Sequence, residues 1–378
     1  MSTFIGSNLR LIRLFHDLSL TDLGEQVGVS KQYLSRVETG AEPVSAHLEK
    51  ILADALHVQP EFFHEVDTNP IADEQCHFRR QLTTKVAQRQ VARARGEVLK
   101  RLVGVLDEHV ELPRYQVNAT DAETNEAIEK SAEAFRGQFS LGFGPLSNVT
   151  RIAENAGAVV MRVHGLAQEI DAISFATKRP LIALNDDGRS ACRERFGIAH
   201  ELGHFSIHLG VLTGDKLTEA QANRFASALL MPRATFTSEC RLALRGSRLN
   251  WSGLSELKVR WGVSKAAIIF RGRQLGMFSD DQARSGYVGL NRHGEALRES
   301  EDHLVAHEEP EVVAESLKVM QEHFGLPLPA VAQEMRVQPT LLLELLKAPQ
   351  VALAGNNVIG LHRHFGSLPN GKSSERLG

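Results

Sequence analysis

The chain has few of the features that covalent scaffolds and thiolate metal sites require. Its three cysteines, Cys76, Cys192 and Cys240, are odd in number and share no Cys-x-x-Cys spacing. This pattern excludes a disulfide framework and a zinc knuckle built on thiolates, and it fits a reducing compartment.

Long apolar runs, leader signals and nucleotide-binding loops are missing as well. No stretch approaches the roughly 18 uncharged apolar residues that cross a membrane. The start, MSTFIGSNLRLIRLF, lacks the apolar core and cleavage site of a signal peptide. There is no Gly-x-Gly-x-x-Gly sequence and no Walker loop. We therefore expect a cytoplasmic protein with no membrane partner and no nucleotide cofactor.

What is present is the composition of a globular protein with several domains. The 378 residues, 42% hydrophobic and 24% charged, exceed one domain of about 100–200 residues. Residues 1–70 hold five Lys or Arg against ten Asp or Glu, a net charge of −5. Residues 71–101 hold eight against three, a net charge of +5. This change of sign predicts a domain boundary near Asn69 and Pro70.

Hydrophobic periodicity predicts a mainly α-helical protein with a small β-sheet, an α+β fold. A long basic helix is predicted from His77 to about Glu111. Short apolar runs bounded by Gly, Pro and Asp predict three strands, within 156–163, 171–177 and 179–185. We predict four parts: a helix-turn-helix domain at 1–66, a basic helical linker at 67–118, a metal-binding domain at 119–276, and a helical region at 277–378.

The stretch LTDLGEQVGVSKQYLSRVETG, residues 20–40, has the spacing of two helices joined by a tight turn. Gly28 supplies the turn residue and Ser30 the N-cap of the second helix. From Leu9 to Phe63 the chain resembles the XRE/Cro repressor family. The resemblance implies that Ser30–Glu38 is a recognition helix that enters the major groove of double-stranded operator DNA. Five of its residues are candidates for contact with the DNA: Lys31, Gln32, Tyr33, Ser35 and Arg36.

Two features of this domain depart from a typical DNA-binding surface. Asp22 stands where the family usually has Gln, and a carboxylate there repels phosphate. The net charge of −5 also lacks the positive patch that supplies most nonspecific DNA affinity. An alternative role is therefore protein contact or dimerisation, which makes a homodimer possible. The basic residues of 78–101 either supply the missing phosphate contacts or form a solvated face.

The stretch FGIAHELGHFSIH contains two histidines, His200 and His204, four residues apart with Glu201 between them. On a helix both imidazoles lie on one side and can bind one cation, while the glutamate can act on a water at the same ion. The flanking residues are apolar, so these polar groups would be costly in a core unless they had partners.

A third protein ligand is needed if one position of the ion stays open. Glu219, on the next predicted helix, is favoured because a hairpin of two helices returns its carboxylate to the first, and Asp215 and Glu194 are the alternatives. His208 continues the spacing but lies about 12 Å from His200 along a helix axis, too far for one ion. Three further residues are candidates for contact with the ligands or the substrate: His208, Asn223 and Arg195.

Residues from about 130 to 275 resemble the ImmA/IrrE metallopeptidases through four blocks in the same order: RPLIALN, RERFGIAHELGHFSIH, EAQANRFASALLMP and LSELKVRWGVSKAAIIFRGRQLG. The resemblance implies a gluzincin-like site with one Zn²⁺ per chain, held by His200, His204 and Glu219, with Glu201 as the catalytic base. It also implies cleavage of a helix-turn-helix repressor, or of the chain itself, in a stress, DNA-damage or mobile-element response.

Two functions follow from these patterns. The first is a DNA-binding transcriptional regulator with a zinc-dependent endopeptidase domain. The second is a transcriptional repressor whose metallopeptidase-like domain is a sensor or protein-docking module without proteolysis. The presence of Glu201 favours the first function, because a sensor needs the metal ligands but not the base.

Overall fold

The computed structural model describes residues 3–78, 86–164, 166, 171–186 and 188–346. These residues form sixteen α-helices, one four-stranded mixed sheet and one two-stranded sheet. The predicted α+β fold is confirmed. No helix among these residues is long and apolar enough to cross a membrane. Part of the predicted basic helix, residues 79–85, lies outside the described residues.

The first four helices form the helix-turn-helix unit. Ser19 and Ser30 each accept a hydrogen bond from the amide three residues later, which starts the second and third helices. Gly28 ends the second helix with a φ of +73°, a conformation that favours glycine. The predicted turn and N-cap residues are thus confirmed. The helices are α1 (Gly6–Phe15), α2 (Leu20–Val27), α3 (Lys31–Glu38) and α4 (Ala46–Ala55).

The long helix α5 (Val86–His109) is a core element between the helix-turn-helix unit and the central sheet. It packs on α1 on one side and towards the sheet on the other. Gly96 lies against the ring of Phe175, where a Cβ atom would come within 2.3 Å of a ring carbon. This close approach fixes how α5 lies against the sheet.

Three cations of α5 have intramolecular partners, so they do not form a free phosphate-binding or solvated face. Each is held by an oxygen of the helix-turn-helix unit or of the segment that follows it: Arg95 by the Phe15 carbonyl, Lys100 by the Asp67 carboxylate and Arg101 by the Glu65 carboxylate. These three residues therefore join α5 to the helix-turn-helix unit and to the segment that follows it. They do not supply a free positive surface at these positions.

The central sheet has the strand order β1-β3-β4-β2. Its strands are β1 (Cys76–Phe78), β2 (Val159–Val163), β3 (Ala172–Phe175) and β4 (Leu181–Asn185). β2 and β4 are parallel, and the other two pairs are antiparallel. The three predicted strands are confirmed. The prediction that a helix begins at His77 is wrong, because residues 76–78 pair with β3 and thereby join the sheet of the following domain.

Helices cover the face of the sheet that lies opposite α5. They are α6 (Asn125–Gln138), α7 (Val149–Asn155), α8 (Ala191–Ile207) and α9 (Lys216–Leu230). α8 packs on β3 and β4, and α9 packs on α8 and α6. The chain continues through α10 (Arg233–Glu239), the strands β5 (Leu244–Arg245) and β6 (Arg248–Leu249), and α11 (Trp251–Trp261), α12 (Lys265–Gln274) and α13 (Asp280–Arg292).

The last described helices return to the helix-turn-helix unit. They are α14 (Val312–Phe324), α15 (Leu328–Glu334) and α16 (Pro339–Leu346). A β-bridge joins Val58 to Val337, and the Gln59 amide donates to the Arg336 carbonyl at 2.9 Å. The apolar side chains of these helices share one core with α1–α5. The predicted helical region at 277–378 is described as far as residue 346.

Candidate metal centre

Helix α8 carries the His200, Glu201 and His204 side chains into the protein interior, where all three are 0% exposed. The helix is buried on nearly every side because it lies between the sheet and α9, and many of its other buried residues are apolar, such as Ile198 and Leu202. Buried polar groups need partners. The neighbouring helix supplies them.

Glu219, in the first turn of α9, brings its carboxylate to both histidines. Its Oε2 lies 3.4 Å from the Nε2 of His200, and its Oε1 lies 3.4 Å from the Nε2 of His204. One donor atom from each of the three residues lies within 4.8 Å of the others. The two alternatives are occupied elsewhere, since Asp215 caps α9 and Glu194 pairs with Arg162.

A hydrogen-bonded chain sets the tautomer of His204. The Gln221 Oε1 atom, an acceptor, lies 2.9 Å from the Nε2 of His208, so that nitrogen carries the proton. The Nδ1 of His208 then accepts a hydrogen bond from the Nδ1 of His204, at 2.9 Å. The Nε2 of His204 is left with a lone pair that faces the cluster.

His200 is oriented in the same way by Asn223. Its Nδ1 donates to the Asn223 Oδ1 at 3.1 Å, which leaves a lone pair on Nε2. The Nε2 atoms of His200 and His204 are 3.0 Å apart. Two lone pairs at this distance repel each other unless a cation binds them, so the donor set fits a metal ion. Two imidazoles and one carboxylate are ligands that Zn²⁺ accepts in catalytic sites.

The charge states agree with this donor set. Burial lowers the pKa of His204 well below its ordinary value, which keeps the imidazole neutral. Burial alone would raise the pKa of Glu219, but hydrogen bonding and positive charge at the Nε2 positions of His200 and His204 outweigh it and hold the pKa well below its ordinary value. These contributions need a proton or a cation at Nε2, and with both Nε2 atoms unprotonated a bound metal ion takes that place. The carboxylate is therefore ionised and can bind a cation.

Glu201 lies between the two histidines in the sequence of α8, and its carboxylate is oriented by the sheet. Ser174, on β3, donates a hydrogen bond to the Oε2 of Glu201. The carboxylate is fixed on the side of α8 that faces β3. A carboxylate held in one orientation, next to His200 in the sequence, is suited to accepting a proton.

Of the three residues predicted to contact the ligands or the substrate, two lie at the site and one does not. His208 is the C-cap of α8 and contacts His204, and Asn223 contacts His200, as described above. Arg195 points away from the cluster. It donates to the carbonyls of Gly262 and Leu146 and pairs with Glu308, so its predicted role at the site is wrong.

Four residues of the site were not predicted. Ser174 and Gln221 orient Glu201 and His208, His77 stacks on His204, and Thr213 contacts His77. Their positions depend on strand register and on the path of the α8–α9 connection. No spacing in the sequence relates them to His200.

The proposed recognition surface on α3 is largely open. Lys31, Gln32 and Ser35 are exposed. Tyr33 is half-buried and its hydroxyl donates to the Pro43 carbonyl at 2.9 Å, and Arg36 pairs with Glu42 at 3.1 Å. These two side chains have intramolecular partners, so the first three are the freest candidates for contact with DNA.

Comparison with known proteins agrees with two parts of this structure. Residues 5–64 match the family described as a helix-turn-helix domain, and residues 153–272 match the M78 peptidase family described as an IrrE N-terminal-like domain. The chain thus combines a helix-turn-helix domain with an IrrE-like domain. The second match includes the three clustered candidate ligands and Glu201.

Two curated relatives from Sinorhizobium fredii match a shorter part of the chain. The uncharacterized HTH-type transcriptional regulator y4wC is 34% identical over 71 residues, which are 19% of this chain and 50% of that protein. The regulator y4aM is 34% identical over 62 residues, 16% of this chain and 43% of that protein. The chain spans half or less of the length of each relative.

Proposed function

We propose that the protein is a DNA-binding transcriptional regulator with a zinc-dependent endopeptidase domain, which would hold one Zn²⁺ on His200, His204 and Glu219. The observation that carries the proposal is the hydrogen bonding behind the ligands. Asn223 and the His208–Gln221 pair leave both Nε2 atoms unprotonated and directed at an ionised carboxylate. Such an arrangement has no use in a helix packed only for stability.

The chemistry is divided between the ion and Glu201. When bound, Zn²⁺ would polarise a peptide carbonyl and lower the pKa of a water molecule towards about 7. Glu201 would accept the proton of the attacking water and pass it to the leaving amine nitrogen. Ser174 supports this role because it keeps the carboxylate in one orientation.

The substrate we propose is a protein, either another helix-turn-helix repressor or a second copy of this chain, and the other partner is double-stranded operator DNA. Exposed Lys31, Gln32 and Ser35 on α3 support the DNA contact. A homodimer and a cytoplasmic location stay predictions, and so do the domain boundaries at residues 66, 118 and 276.

Two variants test the peptidase. Glu201→Gln keeps the shape of the side chain but cannot accept a proton, so it should retain about one equivalent of zinc and lose cleavage of repressors encoded beside its gene. His204→Ala should lose both the metal and the cleavage. Zinc content is measured by elemental analysis and cleavage by gel electrophoresis and mass spectrometry.

Three results would contradict the proposal in different ways. Cleavage by Glu201→Gln at the wild-type rate would remove Glu201 from the mechanism. Full folding with no zinc in the wild-type chain would remove the site. A zinc-loaded wild-type chain that cleaves neither repressors nor itself would favour the alternative, a metal-dependent sensor or docking module without proteolysis.

A further inference from the structure

Strand β1 brings a histidine onto the metal centre from outside the matched peptidase region. In its antiparallel pairing with β3, His77 lies opposite Ser174. Opposite residues on neighbouring strands project from the same face of a sheet. On that face Ser174 donates to Glu201, and the His77 ring lies parallel to the His204 ring, with centroids 4.8 Å apart and planes 6° apart.

His77 is held in this position by a specific contact. It is 1% exposed, and its Nδ1 lies 2.7 Å from the Oγ1 of Thr213, in the connection between α8 and α9. Its Nε2 is buried and has no hydrogen-bond partner among the described residues. An unpaired buried nitrogen is costly, so packing alone would favour an apolar residue here.

β1 also occupies the edge of the sheet that lies over Glu201. β3 pairs with β4 on one side and with β1 on the other. The Ala176 amide donates to the Gln75 carbonyl at 2.8 Å. Because hydrogen-bonded and non-hydrogen-bonded pairs alternate along an antiparallel ladder, the next pair joined by backbone hydrogen bonds is His77 and Ser174. The backbone groups of β3 that could bind an extended peptide are therefore taken by the chain itself.

We propose that β1 fills the substrate-binding edge of β3 and closes the metal centre in the resting protein. The inference rests on the proposed peptidase function. The partner that would replace β1 is an extended segment of a protein substrate, bound through backbone hydrogen bonds to β3. Burial supports this, because His200, Glu201 and His204 have no exposed surface while β1 is paired.

The segment before β1 connects this closure to the rest of the protein. Lys100 holds the Asp67 carboxylate and the Asn69 carbonyl, and the Glu97 carboxylate accepts from the Ile71 amide. These contacts fix the segment on α5, which also packs on α1. The segment before β1 and the helix-turn-helix unit are therefore held on the same helix.

A reversible cross-link tests the closure in the full chain. Cys76 lies opposite Phe175 at a pair without backbone hydrogen bonds, where Cα atoms are about 4.5 Å apart, within disulfide range. In Phe175→Cys, oxidation should join β1 to β3. With Co²⁺ loaded, 1,10-phenanthroline should remove the metal at least about tenfold more slowly from the oxidised than from the reduced protein, because closure limits access.

Two further variants complete the test. Phe175→Ala loses the same ring but has no thiol, so its rate of metal loss should not depend on the reductant. His77→Ala should lose Co²⁺ several-fold faster than the wild-type chain, since His204 is uncovered. The melting temperature of each reduced variant shows that it is folded.

The outcomes separate this inference from the peptidase. Equal metal loss from oxidised and reduced Phe175→Cys, with the disulfide verified by mass spectrometry, would overturn the closure even if the chain cleaves repressors. Slow loss from the oxidised form would support the closure even if no cleavage is found. Faster repressor cleavage by His77→Ala would support both, whereas slower cleavage with unchanged metal loss would overturn the closure.

Discussion

The Nε2 atoms of His200 and His204 lie 3.0 Å apart, and each ring donates its other N–H to a neighbouring side chain. The outer partners thus decide which nitrogen is available inside. For His204 the position of the proton is set indirectly, by the contact between Gln221 and His208. The metal affinity should therefore depend on residues that do not touch the ion.

Gln221→Ala should lower the affinity for Zn²⁺ by about 10–100-fold, the usual effect of losing a partner of a metal-binding histidine. Without the acceptor at residue 221, the proton of His208 can move to its Nδ1 atom. His204 then has to accept at Nδ1 and carry its own proton on Nε2, where the metal would bind. Competition with a chromogenic chelator measures the change. Gln221→Glu keeps an acceptor and should retain most of the affinity, and Gln26→Ala, an exposed glutamine of α2, is the matched control. Equal affinity in Gln221→Ala and Gln26→Ala would contradict this account.

The local sequence predicts those parts of the site that depend on helical spacing. His200, Glu201 and His204 share one helix, and Glu219 lies in the first turn of the next, so the helical period and one connection place all four. Gly28 and Ser30 are predicted for the same reason, because their turn and N-cap conformations are local.

Residues that reach the site through the sheet could not be predicted in this way. His77 lies in a charged stretch whose composition favours a helix, and only its pairing with β3 makes it a strand. Arg195 is predicted to contact the ligands or the substrate, but its side chain donates to the Gly262 carbonyl instead. Tertiary contacts decide both cases, and hydrophobic periodicity does not report them.

The buried ion pair between Glu129 and Arg271 should make stability depend on pH in the acidic range. Both guanidinium NH groups donate to the carboxylate, at 2.6 and 2.7 Å, and Arg271 is 0% exposed. Burial raises the pKa of Glu129, but the hydrogen bonds and charge of Arg271, with the charge of Arg224, outweigh it and leave the pKa below its ordinary value.

A carboxyl whose pKa is lowered in the folded state stabilises that state above its unfolded pKa, and the contribution is lost as the pH falls through the folded value. The urea concentration at the unfolding midpoint should therefore decrease as the pH is lowered below about 4.3, the ordinary pKa of glutamate. Glu129→Gln should be less stable at pH 7, by about 3–5 kcal/mol, because it leaves Arg271 without a counter-charge. It should also lose part of the acid dependence. A variant as acid-sensitive as the wild-type chain would show that other carboxyls dominate.

The helix-turn-helix unit should bind DNA through α3 without help from the α5 cations that are already paired. Gln32 is exposed and its amide can bind a base edge, so Gln32→Ala should reduce the preference for the operator over unrelated DNA by about 1–3 kcal/mol. Lys31→Ala should weaken both complexes alike and lower the slope of log affinity against log salt by about 1. Fluorescence anisotropy at several salt concentrations measures both effects, and Lys50→Ala, an exposed lysine of α4, is the matched control. If Lys100→Ala lowers the salt slope as much as Lys31→Ala, the paired lysine of α5 is released on binding, and the assignment of the contact surface to α3 alone is wrong.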